Sequence, residues 1–240
     1  MSATLVHAGF DALAWIAAAL SYRWLTRGAA VKFPPFPVAD WHYTAVLVFG
    51  AGVGAVSFGT ANLWLSQQAG VARSIEGALA GGIVAVELYK RSAQIAVRTG
   101  ARFALPLAVG VAIGRIGCYL AGLDDFTYGT PTTLPWGHDF GDGVPRHPVQ
   151  LYESAAMAAF AAVYAARALK NDRFVIENGF YLAVGYYGLQ RFVWEFIKPY
   201  GSLIGPFTLF HILSVMIFLY GVIMIATAPR QGVLNDRAFA

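Results

Sequence analysis

The chain has 240 residues, 58% of them hydrophobic and only 12% charged, with a mean hydropathy of +0.56. Soluble domains carry about a quarter charged residues, so this composition excludes an ordinary water-soluble enzyme and points to an all-α polytopic membrane protein. The formal charge of +4 is small and scattered, which gives no basis for a nucleic-acid partner.

Seven apolar stretches are long enough to span a bilayer at roughly 20 residues per crossing. They lie at about residues 5–22, 42–63, 72–89, 103–123, 151–169, 176–197 and 203–226. The first lacks a basic segment before it and is interrupted by Asp11, so it reads as a retained helix rather than a cleaved signal peptide. Asp11 either lines a site or pairs with another helix. The next three stretches carry small-xxx-small spacings, Gly50 with Gly54, Gly77 with Gly81 and Gly110 with Gly114, which read as close helix packing. Glu87, with Lys90 and Arg91 at i+3 and i+4, is explained by local pairing at a helix end.

The fourth stretch contains "GRIGCYLAGL", residues 114–123, with Arg115 in an otherwise apolar run. Cys118 is the only cysteine, which excludes an internal disulfide and argues against a cysteine-built zinc or iron–sulfur site; no metal ligands are expected. "RIGC" superficially resembles a lipobox, but a lipobox follows an N-terminal signal peptide and this string lies mid-chain. Residues 124–150, rich in Gly, Pro, Asp and Thr, read as an ordered loop. The loop ends in "PRHPVQLYE", where Pro145 and Pro148 keep the backbone extended and hold Arg146 and His147 on a stiff segment before the fifth helix.

In the sixth stretch Arg191 has Glu195 at i+4 and Lys198 near the same face at i+7. A lone arginine at a helix centre costs roughly 2.5 to 3.5 kcal/mol, so Arg115 and Arg191 require compensation. Arg115 has no acid within four residues, so its counter-charge comes from another helix, the loop or a bound anion. Two readings follow. Glu76, Glu195 and the arginines form a neutral network that holds the bundle, or the guanidinium forks grip an anion such as a lipid phosphate.

Basic residues set the expected orientation. Arg23, Arg27, Lys32, Lys90, Arg91, Arg98, Arg102, Arg167, Lys170, Arg173, Arg230 and Arg237 fall on one set of alternate loops and the C-terminal tail; Arg73, Arg146 and Lys198 fall on the other. The asymmetry places the N-terminus and the loop between the fourth and fifth helices outside and the C-terminus inside, in one seven-helix membrane domain over residues 1–240. No internal repeat is visible.

"GRIGCYLAGL", "YGTPTTLPWG", "PRHPVQLYE" and "GYYGLQRFVWEF" occur in an order that resembles the bacterial prolipoprotein diacylglyceryl transferases, over about residues 75–225. The resemblance implies a multi-pass protein of the bacterial cytoplasmic membrane. It implies transfer of the diacylglyceryl group of phosphatidylglycerol to the lipobox cysteine of a pre-lipoprotein, with release of glycerol phosphate and no cofactor. Membrane lipids and the pre-lipoprotein are then the partners. By this likeness Arg115 and Arg191 match essential arginines, and Glu195 matches the acid of the "EF" pair. Gly114, Gly122 and Gly129 fall in signature positions, Arg146, His147, Gln150, Tyr152 and Glu153 match the loop-to-helix motif, and Phe10 stands near a family tyrosine. Departures also show: Glu76 replaces a histidine of "HGGL", Cys118 replaces the Asn of "GRxGN", Leu123 replaces an acid, and His211 takes the glutamine's place in "MGQ". They leave Glu76, ahead of His147, as the expected base, and they leave open a different acceptor or a lipid-binding or transporting protein that breaks no bond.

Overall fold

The computed structural model describes residues 3–27, 31–33 and 41–228. Arg230 and Arg237, counted above for orientation, lie outside the described residues. Among the described residues seven α-helices dominate: α1 (Ala3–Arg27), α2 (Trp41–Leu65), α3 (Ile75–Ser92), α4 (Ala104–Ala121), α5 (Val149–Leu169), α6 (Arg173–Glu195) and α7 (Leu209–Ala226). Each overlaps an expected apolar stretch. Four are long and apolar enough to cross a membrane: α1, α2, α4 with its flanking 3₁₀ turns, and α7. The other three, α3, α5 and α6, carry most of the helical buried charges, among them Glu76, Glu153, Arg191 and Glu195, and those charges lower their mean hydropathy.

Helix ends follow local chemistry. Ser74 caps α3 by accepting from Gly77 N at 3.1 Å, and Asp172 caps α6 by accepting from Val175 N at 3.2 Å. Gly122 ends α4 with φ +72°, a conformation that side chains resist, and turns the chain into a 3₁₀ segment, Gly122–Asp125. The expected seventh span is corrected at its start. Residues 203–208 belong largely to a hairpin of β3 (Ser202–Ile204) and β4 (Phe207–Thr208), because Gly205 at φ +55° and Pro206 make a turn. Thr208 then caps α7 in a reciprocal capping box with His211.

Helix α4 is the hub. It packs against α1, α5 and α6, while α2 packs on α3 and α6 on α7. The largest apolar core joins Leu105, Ala108 and Val111 of α4 to Met157 and Tyr164 of α5 and to Ile176 and Tyr187 of α6. Large apolar side chains also point outward, among them Trp15, Phe49, Leu120, Met216 and Ile223. Such surfaces suit a hydrocarbon surround.

The loop between α4 and α5 is built around β1 (His138–Asp139) paired antiparallel with β2 (Pro145–Arg146). Asp139 Oδ1 accepts from the backbone N–H of Gly141, Asp142 and Gly143 at 2.8, 3.1 and 3.0 Å, which closes the turn. Thr130 N donates to Ile197 O at 2.7 Å and ties the loop to the end of α6.

The glycine spacings divide in two. A Cβ on Gly54 would meet Gly77 O at 2.2 Å and one on Gly81 would meet Gly50 O at 2.2 Å, so these glycines set the α2–α3 approach. A Cβ on Gly114 meets nothing within 4 Å. Gly54→Leu is therefore expected to lower the thermal midpoint of the detergent-solubilised protein, at a cost of about 1–3 kcal/mol or more. Gly114→Ala should leave that midpoint unchanged in the same melting experiment.

Candidate functional site

Three buried carboxylates face three buried cations where α3, α4, α5 and α6 meet. Glu153 of α5 is the centre. One of its oxygens, Oε1, accepts from Arg191 Nη1 at 2.7 Å and forms an ion pair with Lys198 Nζ at 2.8 Å, and the other pairs with Arg115 Nε. The counter-charge that Arg115 lacks on its own helix is thus Glu153. Arg191 pairs further, through Nε with Glu76 Oε2 at 3.1 Å and through Nη2 with Glu195 Oε2 at 3.0 Å, the i+4 pair expected from the spacing.

Hydroxyl groups complete the set. Ser214 donates to Glu76 Oε1 at 2.6 Å, and Thr208 donates to Glu195 Oε1 at 2.6 Å. With every member ionised the charges cancel, which is the condition under which six such groups can be buried together. The neutral network is therefore present, and it is larger than the one anticipated, since Glu153 and Lys198 belong to it.

Both arginines also border a cavity of about 700 Å³. Its wall includes His7 and Asp11 of α1, Ser74 before α3, Gly114, Arg115 and Cys118 of α4, Asp124, Asp125 and Thr127 beyond it, and Arg191, Tyr200 and Phe210. Arg115 Nη1 lies 3.9 Å from Cys118 Sγ, and the Arg191 guanidinium sits 5.3 Å from the centre of the Phe210 ring. A second cavity of about 470 Å³ adjoins the first and shares Asp11, Trp15, Ile75, Ala78 and Gly114 with it. Its other walls are mostly apolar, with Leu47, Leu79, Ile83, Phe103, Leu107 and Phe180. A charged chamber thus lies beside an apolar one, a pairing suited to an amphiphile with an anionic head.

The remaining expected site residues sit elsewhere. Glu76 borders neither cavity; its two oxygens are occupied by Arg191 and Ser214. His147 lies in the loop with Nδ1 3.4 Å from the Tyr152 hydroxyl, which accepts from Trp136 Nε1 at 2.8 Å. Gly129 is pressed against this segment: a Cβ there would meet His147 Cβ at 2.5 Å. Arg146 makes two bonds of 2.7 Å to Asp142 and holds that carboxyl below its usual range. Gly129, Arg146, His147 and Tyr152 therefore fasten the loop rather than wall the cavity. Gln150 is fully buried at the start of α5. Phe10 packs on Gly117, where a Cβ would meet it at 2.4 Å, and fixes the α1–α4 contact.

Five participants were absent from the expected site. Lys198 was visible from its i+7 spacing to Arg191, whereas Ser214, Thr208, His7 and Asp125 are ordinary polar residues in sequence. Only the packing of α7, α1 and the turn after α4 brings them to the network and the cavity.

A family model described as prolipoprotein diacylglyceryl transferase matches residues 12–227. A phosphatidylglycerol–prolipoprotein diacylglyceryl transferase of Geobacter sulfurreducens is 35% identical over 169 residues, covering 67% of this chain and 63% of the relative, just under two thirds of its length. The protein of the same name from Methylococcus capsulatus is 31% identical over 236 residues, 90% of this chain and 86% of the relative. That of Vibrio cholerae is 30% identical over 208 residues, 81% of this chain and 75% of the relative. No solved structure matches the chain. With the family model covering most of its length, the chain belongs to the prolipoprotein diacylglyceryl transferase family.

Proposed function

We propose that the protein transfers the diacylglyceryl group of phosphatidylglycerol to the lipobox cysteine thiol of a pre-lipoprotein and releases glycerol phosphate. The observation that carries this reading is the junction of two chambers, one bordered by Arg115 and Arg191 and one apolar. The headgroup phosphate sits in the first and the acyl chains run into the second. In the reaction a sulfur–carbon bond forms at the glyceryl carbon while the carbon–oxygen bond to phosphate breaks. The thiol proton passes to water, and the leaving phosphate keeps the electron pair of the broken bond.

Arg115 and Arg191 are the catalytic pair. Both guanidinium groups are fixed before substrate arrives, so they stabilise the charge that grows on the departing phosphate without reorganising. The same cations favour the thiolate, since a free thiol has a pKa near 8.5 and is mostly protonated at neutral pH. Glu76 and Glu195 position Arg191 from either side, and Glu153 ties the two arginines to one carboxylate. His147, Arg146, Gly129, Tyr152 and Gln150 hold the loop and the start of α5 over this centre.

The chain acts as one seven-helix domain in the bacterial cytoplasmic membrane. Helices α3, α5 and α6 span with the other four, because their charges are paired inward and 18 to 23 residues suffice for a crossing. The distribution of Lys and Arg supports a loop between α4 and α5 that faces outward. A transferase with a different acceptor is the second reading, favoured by Cys118, which lines the cavity in place of the signature Asn.

Incubation of the purified protein with phosphatidylglycerol and a lipobox peptide is expected to add a diacylglyceryl mass to the peptide and to release glycerol phosphate. Release without peptide modification favours the second reading, and neither product refutes both. Arg115→Ala and Arg191→Ala should each lower the rate by about 100-fold or more, the loss typical of one removed oxyanion partner. Glu153→Gln leaves three buried cations sharing two carboxylates and should destabilise the fold by about 3–5 kcal/mol in denaturation measurements. Glu76→Gln keeps partners for Ser214 and Arg191 and should retain transfer within about tenfold; transfer abolished with an intact fold makes the Glu76 carboxylate itself essential to the reaction. For orientation, Thr133→Cys in a Cys118→Ser background should react with an impermeant maleimide added outside the cell, and labelling only after lysis reverses the topology.

A further inference from the structure

One buried oxygen on the wall of the charged chamber lacks a hydrogen-bond donor among the described residues. It is Oδ1 of Asn62, a side chain near the end of α2 that is 4% exposed. Asn62 borders the same chamber as Arg115 and Arg191, yet neither the charge network nor the transfer chemistry above uses it. A buried carbonyl oxygen without a donor is destabilising, and a leucine of similar size would avoid that penalty.

The turn that carries Asn62 is held by its surroundings. Its backbone oxygen accepts from Ser66 N at 3.0 Å and from Ser66 Oγ at 2.8 Å, and Ser66 Oγ accepts in turn from Gly201 N, beyond α6, at 2.9 Å. One turn earlier, a Cβ on Gly59 would meet Ala72 O at 2.6 Å and Arg73 C at 2.8 Å, so the segment leading into α3 lies against α2 here. Depth then orders the wall. Asn62 stands three residues before the end of α2 at Leu65, and Arg115 six before the end of α4 at Ala121. At roughly 1.5 Å per residue these are about 4–5 Å and about 9 Å from the helix ends. Both ends meet the segment after α6, one through Gly201 and the other through Thr130 and Ile197. The apolar cavity extends the opposite way along α4, from Gly114 to Phe103. Apolar cavity, arginines and Asn62 thus follow one another along the bundle.

We propose that Asn62 reads the head of the bound lipid, accepting at Oδ1 from a hydroxyl of the terminal glycerol of phosphatidylglycerol. This rests on the transferase reading, in which chains, phosphate and glycerol lie in the same order as cavity, arginines and Asn62. The chemistry of the wall selects a hydroxyl over an ammonium. An amide both accepts and donates, as a hydroxyl does, whereas an ammonium only donates. Arg73 on the same wall also opposes a cationic head. A head without hydroxyls leaves Oδ1 unpaired and is disfavoured for that reason.

Lipid binding is measured apart from transfer. Full-length protein in detergent is offered phosphatidylglycerol and phosphatidylpropanol of identical acyl chains in competition, read by native mass spectrometry. The two heads carry the same charge and differ only in their hydroxyls. Wild type should favour phosphatidylglycerol by about 5- to 10-fold, the effect of one hydrogen bond, and phosphatidylethanolamine should compete no better than phosphatidylpropanol. Asn62→Leu should bring phosphatidylglycerol and phosphatidylpropanol to within about twofold. Circular dichroism checks the fold, and Asn62→Ala serves the same comparison where the leucine variant does not fold. Asn62→Asp should raise phosphatidylethanolamine relative to phosphatidylglycerol, a change of preference that a merely structural residue would not produce. Equal binding of the two anionic lipids by wild type, or a preference that survives Asn62→Leu, overturns the assignment. Phosphatidylethanolamine bound as well as phosphatidylglycerol overturns the choice of a hydroxyl. A wild-type preference for phosphatidylglycerol without transfer to a lipobox peptide refutes the transferase reading and leaves the role of Asn62 standing. Transfer with equal KM for phosphatidylglycerol and phosphatidylpropanol refutes the role of Asn62 alone.

Discussion

Glu153 is the constraint on which the rest depends. Three cations from two helices and the segment after α6 converge on one carboxylate that has no contact with solvent. In a low-dielectric interior each of those charges is tolerable only with its partners in place, because an uncompensated buried ion costs several kcal/mol. The network therefore fixes the mutual placement of α4, α5 and α6. Through Glu76 and Ser214 it reaches α3 and α7 as well. A bundle of otherwise interchangeable apolar faces thus acquires one register.

The same geometry makes two preorganised cations available to a chamber. Arg191 is gripped by three carboxylates and still borders the cavity, and Arg115 presents Nη1 on the side of Cys118. The buried charge network and the wall of the chamber therefore share the same two arginines. Around it, Gly54 and Gly81 draw α2 onto α3, whereas Gly114 has open space before it and forms part of both cavity walls. Close approach in one place and a withheld side chain in another shape the helix packing and the two cavities.

Helices were legible in sequence because hydropathy and length are local properties. All seven expected stretches coincide with helices, and the one sizeable error lies at residues 203–208, where Gly205 and Pro206 broke a run that hydropathy alone read as continuous. The Arg191–Glu195 pair and the Glu87–Lys90 pair, at 3.2 Å, were legible for the same reason, since both follow from helical spacing. Arg115 was recognised as needing a partner, but which partner depended on a neighbour on another helix.

By itself the sequence determined the class of the protein, its helices, the family strings and the two arginines that a membrane segment would not otherwise tolerate. Only the tertiary structure decided that Glu153 joins those arginines, that Glu76 pairs with Arg191 while bordering neither cavity, and that His7, Cys118 and Asp125 share a wall. The physical reason is range. Hydropathy, capping and i+4 pairing act within a turn or two of chain, whereas pairing of buried charges and assembly of a cavity depend on which helix faces pack together, 38 residues apart for Glu153 and Arg191 and 118 for His7 and Asp125.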